Sequence, residues 1–358
     1  MPEIQARALA LDAKPTFPAA DVEILHDLGA LAAPVPGGLG GLGLGTEASG
    51  AIHLAEVMRL IGRGNLSLGR LYEAHVNVLR LIARYGTERQ MRHAADLALA
   101  GQPFGLWVTD APDAQVCLTE DLVLHGTKAP CSGAGHVRHA LITARLPGGA
   151  TRMVIIGPVP ARNADPSGWV MQGMRAARNG RIIMEGLSVA ASALIGSDGD
   201  YLREPDFSGG AWRGAAVALG GLEALVAEMR ATLVTRNRAA DAHQRARIGK
   251  TLIALETVRM WVRRTALLAE ANDGDAGDIV NTVNLARIAV EAAGLDIIRL
   301  VQRSLGLTAF RAGTLIELLL RDLATYLRQP APDIILDEAA AHFTTRDLPM
   351  LLCPSISQ

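Results

Sequence analysis

The stretch GQPFGLWVTD, residues 101–110, marks the point at which the pattern of this 358-residue sequence changes. Before it, from about residue 21 to residue 99, apolar residues recur at helical spacing. From residue 104 to residue 189, short apolar runs alternate with turn signals, and after Gly209 long helical patterns return. The sequence therefore predicts an α+β fold in which a β-rich segment separates two helical segments.

The segment before this change predicts an N-terminal helical domain, residues 1–102. Asp21 can cap a short helix that Gly29 ends, and Thr87 with Gln90 has the spacing of a capping box. The stretch PVPGGLGGLGLG, residues 34–45, follows no predicted strand and lacks a closing Gly-Lys-Ser/Thr, so it indicates a tight turn between helices rather than a phosphate loop. Longer helices are predicted at residues 49–63 and 66–85.

Residues 103–207 predict a small β domain. The turn signals at residues 147–149 and 165–168 separate apolar runs that are too short for a sheet built from βαβ units. A small antiparallel barrel or sandwich is the expected architecture. Strands are predicted at residues 105–109, 122–125, 139–144, 153–157 and 181–184.

Residues 208–358 predict a four-helix bundle. Each periodic segment is long enough for a bundle helix, and NDGDAG, residues 272–277, is a loop between two of them. Asp278 is expected to cap the helix that follows this loop. The bundle helices are predicted at residues 211–236, 246–271, 278–305 and 314–327.

The composition argues against several functional classes. Lys plus Arg is 35 and Asp plus Glu is 36, so the net charge of −1 gives no reason to expect nucleic acid or an anionic membrane as partner. The cysteines Cys117, Cys131 and Cys353 are widely spaced, which suits a protein of the reducing cytoplasm without a disulfide framework. The N-terminal residues lack the pattern of a signal peptide, and no apolar stretch reaches the ~18 residues that a transmembrane helix needs.

The histidines and Ser132 have weak signals for other chemistries. His125, His136 and His139 lie close together in the sequence, but without HxH or HxxxH spacing they are expected to be surface or strand residues, and no metal site is predicted. Ser132, within CSGAG, is not in a GxSxG elbow, which argues against a hydrolase. On a β edge beside glycines, its hydroxyl could contact a planar ligand.

The tetrapeptide from Trp107 to Asp110 ends the first strand of the β domain. An indole, exposed backbone amides and a hydroxyl at a strand end can line a flavin ring through stacking and hydrogen bonds. A tryptophan buried in the core before a turn is the alternative interpretation. Arg236, with Arg238 and Arg245, would by itself be an ordinary solvated helix face.

Taken in order, several motifs resemble those of the acyl-CoA dehydrogenase family, from about residue 20 to residue 345. They are LGALAAPVPGGLGGLGLG at 28–45, RYGTERQ at 84–90, LWVTD at 106–110, GTK and CSG within 126–133, Trp169 with GMRA at 173–176, Ile195-Gly196, and Arg321-Asp322. The resemblance implies FAD as cofactor and a homodimer or homotetramer. It implies that Trp107, Val108, Thr109 and Ser132 contact the flavin, and that Arg236, Gln302 and Gly306 belong to its binding site, with Arg236 and Gln302 reaching the diphosphate of a neighbouring subunit's flavin.

The chain departs from this family at the catalytic base. The family's glutamate follows the Arg-Asp helix, where this sequence has Pro330, and proline cannot abstract a proton. The alternative glutamate position, at the start of the first bundle helix, carries Trp212 or Arg213, and Ala239 replaces a phenylalanine that contacts the neighbouring flavin. Two other carboxylates could substitute as the base: Asp333, beyond a Pro-Ala-Pro segment not expected to be helical, and Asp110.

The resemblance therefore implies a flavin-dependent oxidoreductase that acts on a small molecule, with an acyl thioester among the candidate substrates. The missing glutamate argues against α,β-dehydrogenation. A flavin-dependent monooxygenase or oxidase of the same fold is one alternative, and a flavin-free binding or assembly protein on this scaffold is another.

Overall fold

The computed structural model describes residues 2–167 and 170–349, so Trp169 and Cys353 lie outside the described residues. Helices come first, then short strands, then helices again, as predicted. The N-terminal helices are α1 (Pro2–Ala13), α2 (Ala19–Asp27), α3 (Ala51–Gly64), α4 (Leu66–Tyr85) and α5 (Glu88–Leu99). The C-terminal helices are α6 (Asp206–Gly209), α7 (Trp212–Thr235), α8 (Ala242–Ala271), α9 (Ala276–Leu305), α10 (Leu315–Tyr326) and α11 (Pro332–His342).

Side-chain caps define the starts of several helices. Thr87 and Gln90 form the predicted capping box of α5, with each side chain bonded to the other's backbone. The prediction that Asp21 caps a helix is wrong: it lies within α2, where its buried carboxylate accepts a hydrogen bond from Arg7 at 2.7 Å. That pair ties α2 to α1, a helix that the sequence analysis did not predict. Asp275, rather than Asp278, caps α9, because its carboxylate accepts the Asp278 N–H at 3.0 Å.

The β domain consists of two sheets, one of seven strands and one of three. In the larger sheet, β1 (Phe104–Trp107) pairs in parallel with β5 (His139–Arg145), which corrects the fully antiparallel prediction. Cys117 also pairs in parallel with Arg145 at the end of β5, so the larger sheet mixes parallel and antiparallel pairs. The strands are β1 (Phe104–Trp107), β2 (Cys117–Leu118), β3 (Val123–His125), β4 (Thr127–Cys131), β5 (His139–Arg145), β6 (Thr151–Ile156), β7 (Ala164–Asp165), β8 (Gly180–Ile183), β9 (Leu187–Ser188) and β10 (Leu194–Ile195).

Helix α7 is the centre of the helical core. It packs against α8, α9 and α10 of the bundle and also against α3 and α4 of the N-terminal helices. Trp212, Val217 and Leu222 on α7 are almost completely buried in this shared core. The start of α7 and the middle of α4 are therefore held side by side, next to the β domain.

The glycine-rich loop is a turn between helices, as predicted. Gly37–Leu39 forms a short 3₁₀ helix between α2 and α3. The Gly37 N–H donates to the Glu47 carboxylate at 2.9 Å, so an anionic side chain already occupies the position that a phosphate would need. Among the described residues, none of the helices combines the length and apolar character needed to cross a bilayer.

Candidate active site

Two neighbouring clefts lie where α4 and the β domain meet the C-terminal helices. The smaller, of about 280 Å³, is lined by Ser132 and Asn179 from the β domain and by Tyr326 from α10. The larger, of about 550 Å³, lies between α4, the start of α7, α9 and the segment before α11. Glu73 and Gln329 line both clefts, which makes them adjoining parts of one site.

The structure brings Trp107 and Ser132 together beside the smaller cleft, which Ser132 lines and Trp107 does not. The Trp107 indole N–H donates to the Ser132 carbonyl at 2.9 Å, and the Ser132 hydroxyl donates to the Asn179 side-chain oxygen at 2.8 Å. Trp107 is completely buried in the β-domain core, as in the alternative interpretation of this tryptophan. Its indole therefore positions the Ser132 segment, and the hydroxyl and amide of Ser132 and Asn179 are the polar groups that line the cleft.

Val108, Thr109 and Asp110 are held by strand β4. The Val108 carbonyl accepts from the buried ammonium of Lys128 at 3.0 Å, and the Thr109 carbonyl accepts from the Ala129 N–H at 3.0 Å. Lys128 also lies 2.5 Å from the Asp110 carboxylate; burial lowers the pKa of this lysine and Asp110 opposes the shift. Asp110 lines neither cleft, so the suggestion that it substitutes for the catalytic base finds no support in this geometry.

Pro330 lines the larger cleft, and its carbonyl accepts a hydrogen bond from the Arg287 guanidinium at 3.1 Å. Asp333 is exposed in the first turn of α11 and lines neither cleft. The expectation that the Pro-Ala-Pro segment is not helical holds only up to Ala331, since Pro332 occupies the first turn of α11, where proline is tolerated. The cleft wall at this position thus presents a guanidinium and a carbonyl.

Glu73 is the carboxylate that lies between the two clefts. Its Oε2 atom accepts from the Tyr326 hydroxyl at 2.8 Å and from Arg70 at 3.1 Å. Burial raises the pKa of the Tyr326 phenol well above its usual value, and the nearby negative charge of Glu73 raises it further. Tyr326 is therefore a hydrogen-bond donor at neutral pH, and it leaves Oε1 of Glu73 as the less occupied oxygen of this carboxylate.

Arg213 occupies the first turn of α7 and is 2% exposed. Its guanidinium bonds to Glu270 and, at 2.9 Å, to the Asn77 side-chain oxygen. Glu270 also accepts hydrogen bonds from Arg80 and the Trp212 indole. The alternative base position therefore carries a buried cation in place of a carboxylate, and burial lowers the pKa of Arg213 although Glu270 opposes this.

Arg236, Gln302 and Gly306 lie at the opposite end of the bundle. Arg236 is exposed just beyond the end of α7 and donates to the Thr308 hydroxyl at 3.0 Å. Helix α7 has 24 residues, which places Arg236 about 35 Å from Arg213 at a rise of ~1.5 Å per residue. One chain therefore does not bring these residues together with Trp107 and Ser132.

The histidines singled out in the sequence have separate neighbours. His125 contacts Glu185 at 2.6 Å and His136 stacks on Phe17, so these two do not share a site. Within the described ranges, one group has ligand atoms close enough for a metal ion: Asp275, Asp278 and His342. The Arg346 guanidinium lies 3.5 Å from both of these carboxylates, and this cation partly balances their charge.

Comparison with known proteins identifies the fold. The acyl-CoA dehydrogenase N-terminal domain family matches residues 2–101. Butyryl-CoA dehydrogenase from Megasphaera elsdenii superposes with a TM-score of 0.81 at 15% identity, covering 95% of this chain and 93% of that chain. The chain has the acyl-CoA dehydrogenase fold.

Other similar proteins with this acyl-CoA dehydrogenase fold are monooxygenases. Methanesulfinate monooxygenase from Pseudomonas fluorescens gives a TM-score of 0.84 at 22% identity, covering 97% of this chain and 95% of that chain. Dibenzothiophene monooxygenase from Paenibacillus sp. A11-2, solved with FMN, gives a TM-score of 0.85 at 17% identity, covering 97% of this chain and 96% of that chain.

Among curated proteins, 3-sulfinopropanoyl-CoA desulfinase of Variovorax paradoxus is 26% identical over 215 residues, which are 55% of this chain and 52% of that protein. The match thus spans about half the length of this relative. A second desulfinase, from Advenella mimigardefordensis, is 27% identical over 150 residues, 39% of this chain and 36% of that protein.

Three residues of this site were missed by the sequence analysis: Glu73, Arg287 and Asn179. Glu73 follows Arg70 by three residues, the spacing of an ordinary surface ion pair on a helix. Arg287 and Asn179 lie in no motif, and their position in the clefts depends on the packing of distant segments. The acyl-CoA dehydrogenase fold, rather than any local pattern, brings them together.

Proposed function

We propose that this protein is a flavin-dependent oxidoreductase that oxidises a small molecule with oxygen and does not dehydrogenate acyl-CoA thioesters. The observation that carries this proposal is the larger cleft, where Pro330 and Arg287 occupy the wall at which the family's glutamate is expected. α,β-Dehydrogenation needs a base at the α-carbon, and general-base help typically contributes about 10²–10⁴-fold. A guanidinium at this position cannot provide that help.

The residues of the smaller cleft fit a flavin ring. The Ser132 hydroxyl and the Asn179 amide offer hydrogen bonds to ring heteroatoms, and Met174 and Tyr326 offer apolar contact. FAD is the proposed flavin because the exposed Arg236 could hold a diphosphate of a neighbouring subunit. When bound, a reduced flavin would supply two electrons to O₂; one oxygen atom would enter the substrate and the other would leave as water.

The larger cleft supports a polar substrate rather than an alkyl chain. Its wall includes Asn77 and Arg287, half-buried polar groups that lose their remaining hydration when an apolar chain covers them. The fold relatives named as monooxygenases agree with oxygen-dependent chemistry. By name, the desulfinases act on a CoA thioester that carries a sulfinate, and one monooxygenase acts on methanesulfinate.

Flavin content and anaerobic reduction test the proposal together. We expect purified protein supplied with FAD to show flavin absorbance that is not bleached by butyryl- or octanoyl-CoA without oxygen. The chemically reduced holoprotein should then consume O₂ and transfer oxygen to a substrate.

Rapid anaerobic bleaching by either thioester would overturn the proposal. Loss of that bleaching in Glu73→Gln or in Asp333→Asn would then identify the base, with Glu73 favoured by its place between the clefts. Failure to bind any flavin would instead support a binding or assembly role for this scaffold.

A further inference from the structure

Arg287 has an unusual environment for an arginine in a cleft wall. It is half-buried on α9, and among residues 2–167 and 170–349 no carboxylate forms a salt bridge with it. Its guanidinium donates to the Pro330 carbonyl at 3.1 Å and more weakly to the Asn284 side-chain oxygen at 3.5 Å, while its buried Nε has no partner. A guanidinium has five N–H donors, so three donors of Arg287 have no partner among the described residues, two of them on its terminal nitrogens.

Arg213 adds a second cation to the same cleft. It is 2% exposed, and its Nε is also buried without a hydrogen-bond partner in the described part of the chain. Gly210 and Ala211, at the start of the 24-residue helix α7, line the cleft as well, and no side chain caps this helix. The positive end of the helix dipole is therefore directed toward this wall.

The carboxylates near the cleft pair with groups other than Arg287. Glu73 accepts from Arg70 and Tyr326, and Glu270 is shared by Arg80, Arg213 and Trp212. Asp206 forms ion pairs with Arg80 and Arg84 and accepts a hydrogen bond from the Tyr85 hydroxyl. Glu204 and Glu338 line the cleft too, but both are exposed to solvent. Glu291, one turn further along α9, pairs with Arg328. Of the three arginines that line the cleft, Arg287 therefore has no salt bridge to a carboxylate in the described part of the chain, whereas Arg80 and Arg213 both have one.

We propose that the larger cleft is an oxyanion subsite, in which Arg287 binds a carboxylate or sulfinate group of the substrate. Two oxygens on one planar or pyramidal centre match the parallel N–H donors of a guanidinium, and the uncapped N-terminus of α7 adds favourable potential from the facing helix. A glutamate in place of Pro330 would neutralise Arg287 and repel such a ligand. The anionic substrate class rests on the proposed function, whereas the binding site itself does not.

Binding of small anions to the purified protein, without turnover, tests the subsite. The probes are methanesulfinate, acetate and the neutral dimethyl sulfone, titrated calorimetrically at low salt. We expect wild type to bind at least one anion but not the sulfone, and Arg287→Gln to weaken that binding about tenfold or more. Arg299→Gln, an exposed change on the same helix, should leave it unchanged. The tighter anion identifies the group as sulfinate or carboxylate.

A second variant guards against misfolding of Arg287→Gln. Pro330→Glu keeps the arginine and should abolish anion binding through repulsion and pairing with Arg287. Equal affinity in wild type and in both variants, equal binding of the sulfone, or no anion binding by wild type would each overturn the subsite. Anion binding that persists while oxygen-dependent activity is absent would contradict the proposed function and leave the subsite standing.

Discussion

At the scale of single residues, His75 is a buried group whose protonation should destabilise the protein. Its Nδ1 accepts the Phe104 N–H at 3.1 Å and its Nε2 lies 2.8 Å from the Leu31 carbonyl, an arrangement that requires the neutral ring. Burial lowers the pKa of His75 from 6.5 to about 4. Because the folded-state pKa is depressed, the neutral His75 ring contributes about 3 kcal/mol to the free energy of unfolding. This contribution is present above pH ~6.5 and is lost as the pH falls toward 4.

Urea unfolding at pH 7 and pH 4.5 measures this contribution as the difference in the free energy of unfolding between wild type and a His75→Gln variant. His75→Gln should be less stable than wild type at pH 7, and the gap should shrink by about 2–3 kcal/mol at pH 4.5. The exposed His53→Gln should follow wild type at both pH values. The same difference in the free energy of unfolding between wild type and His75→Gln at both pH values would show the prediction wrong. The comparison is needed because burial raises the pKa of Asp322 to about 7, which gives wild type an opposite pH dependence.

At the scale of elements, α3 and α7 touch backbone to backbone. A Cβ on Gly220 would lie 1.9 Å from the Arg59 carbonyl oxygen of α3, and one on Gly62 would lie 2.2 Å from the Val217 carbonyl oxygen of α7. Gly220→Ala should therefore destabilise by about 3 kcal/mol or more, since backbone must move. Gly249→Ala on α8 meets no atom within 4 Å and should stabilise by about 0.5–1 kcal/mol.

Thermal unfolding of wild type, Gly220→Ala and Gly249→Ala measures both stability changes. A Gly220→Ala protein as stable as wild type would mean that α3 and α7 can separate without cost. Destabilisation by Gly249→Ala would mean that this face of α8 is covered in the assembled protein.

The sequence predicted those elements whose signals are local. The span of α4 was predicted as observed, because amphipathic spacing and a following glycine define it. The parallel pairing of β1 with β5 was not predicted, since it depends on where a long connection returns.

The same distinction between local signals and tertiary packing applies to the candidate active site. Counting from Arg321-Asp322 indicated Pro330, which does line the cleft, whereas Arg287 comes to it from a helix 43 residues away in sequence.

At the scale of the whole molecule, one chain separates the two sets of residues expected to bind FAD. Ser132 lies at the cleft beside the start of the bundle, and Arg236 lies about 35 Å along α7 at its other end. No carboxylate in the described residues forms a salt bridge with Arg236, which leaves its charge available for a diphosphate. We therefore propose that a second copy of the chain supplies Arg236 and Gln302 to each flavin.

This arrangement predicts that Arg236 distinguishes FAD from FMN. FMN lacks the second phosphate and the adenosine, so Arg236→Gln should weaken FAD binding about tenfold or more and leave FMN binding nearly unchanged. Arg230→Gln, an exposed change on the same helix, is the matched control. Fluorescence titration with each flavin measures the affinities, and sedimentation should show a dimer or tetramer. A monomer that binds FAD as tightly with Arg236→Gln as without it would contradict the shared site, because no second chain would then be needed.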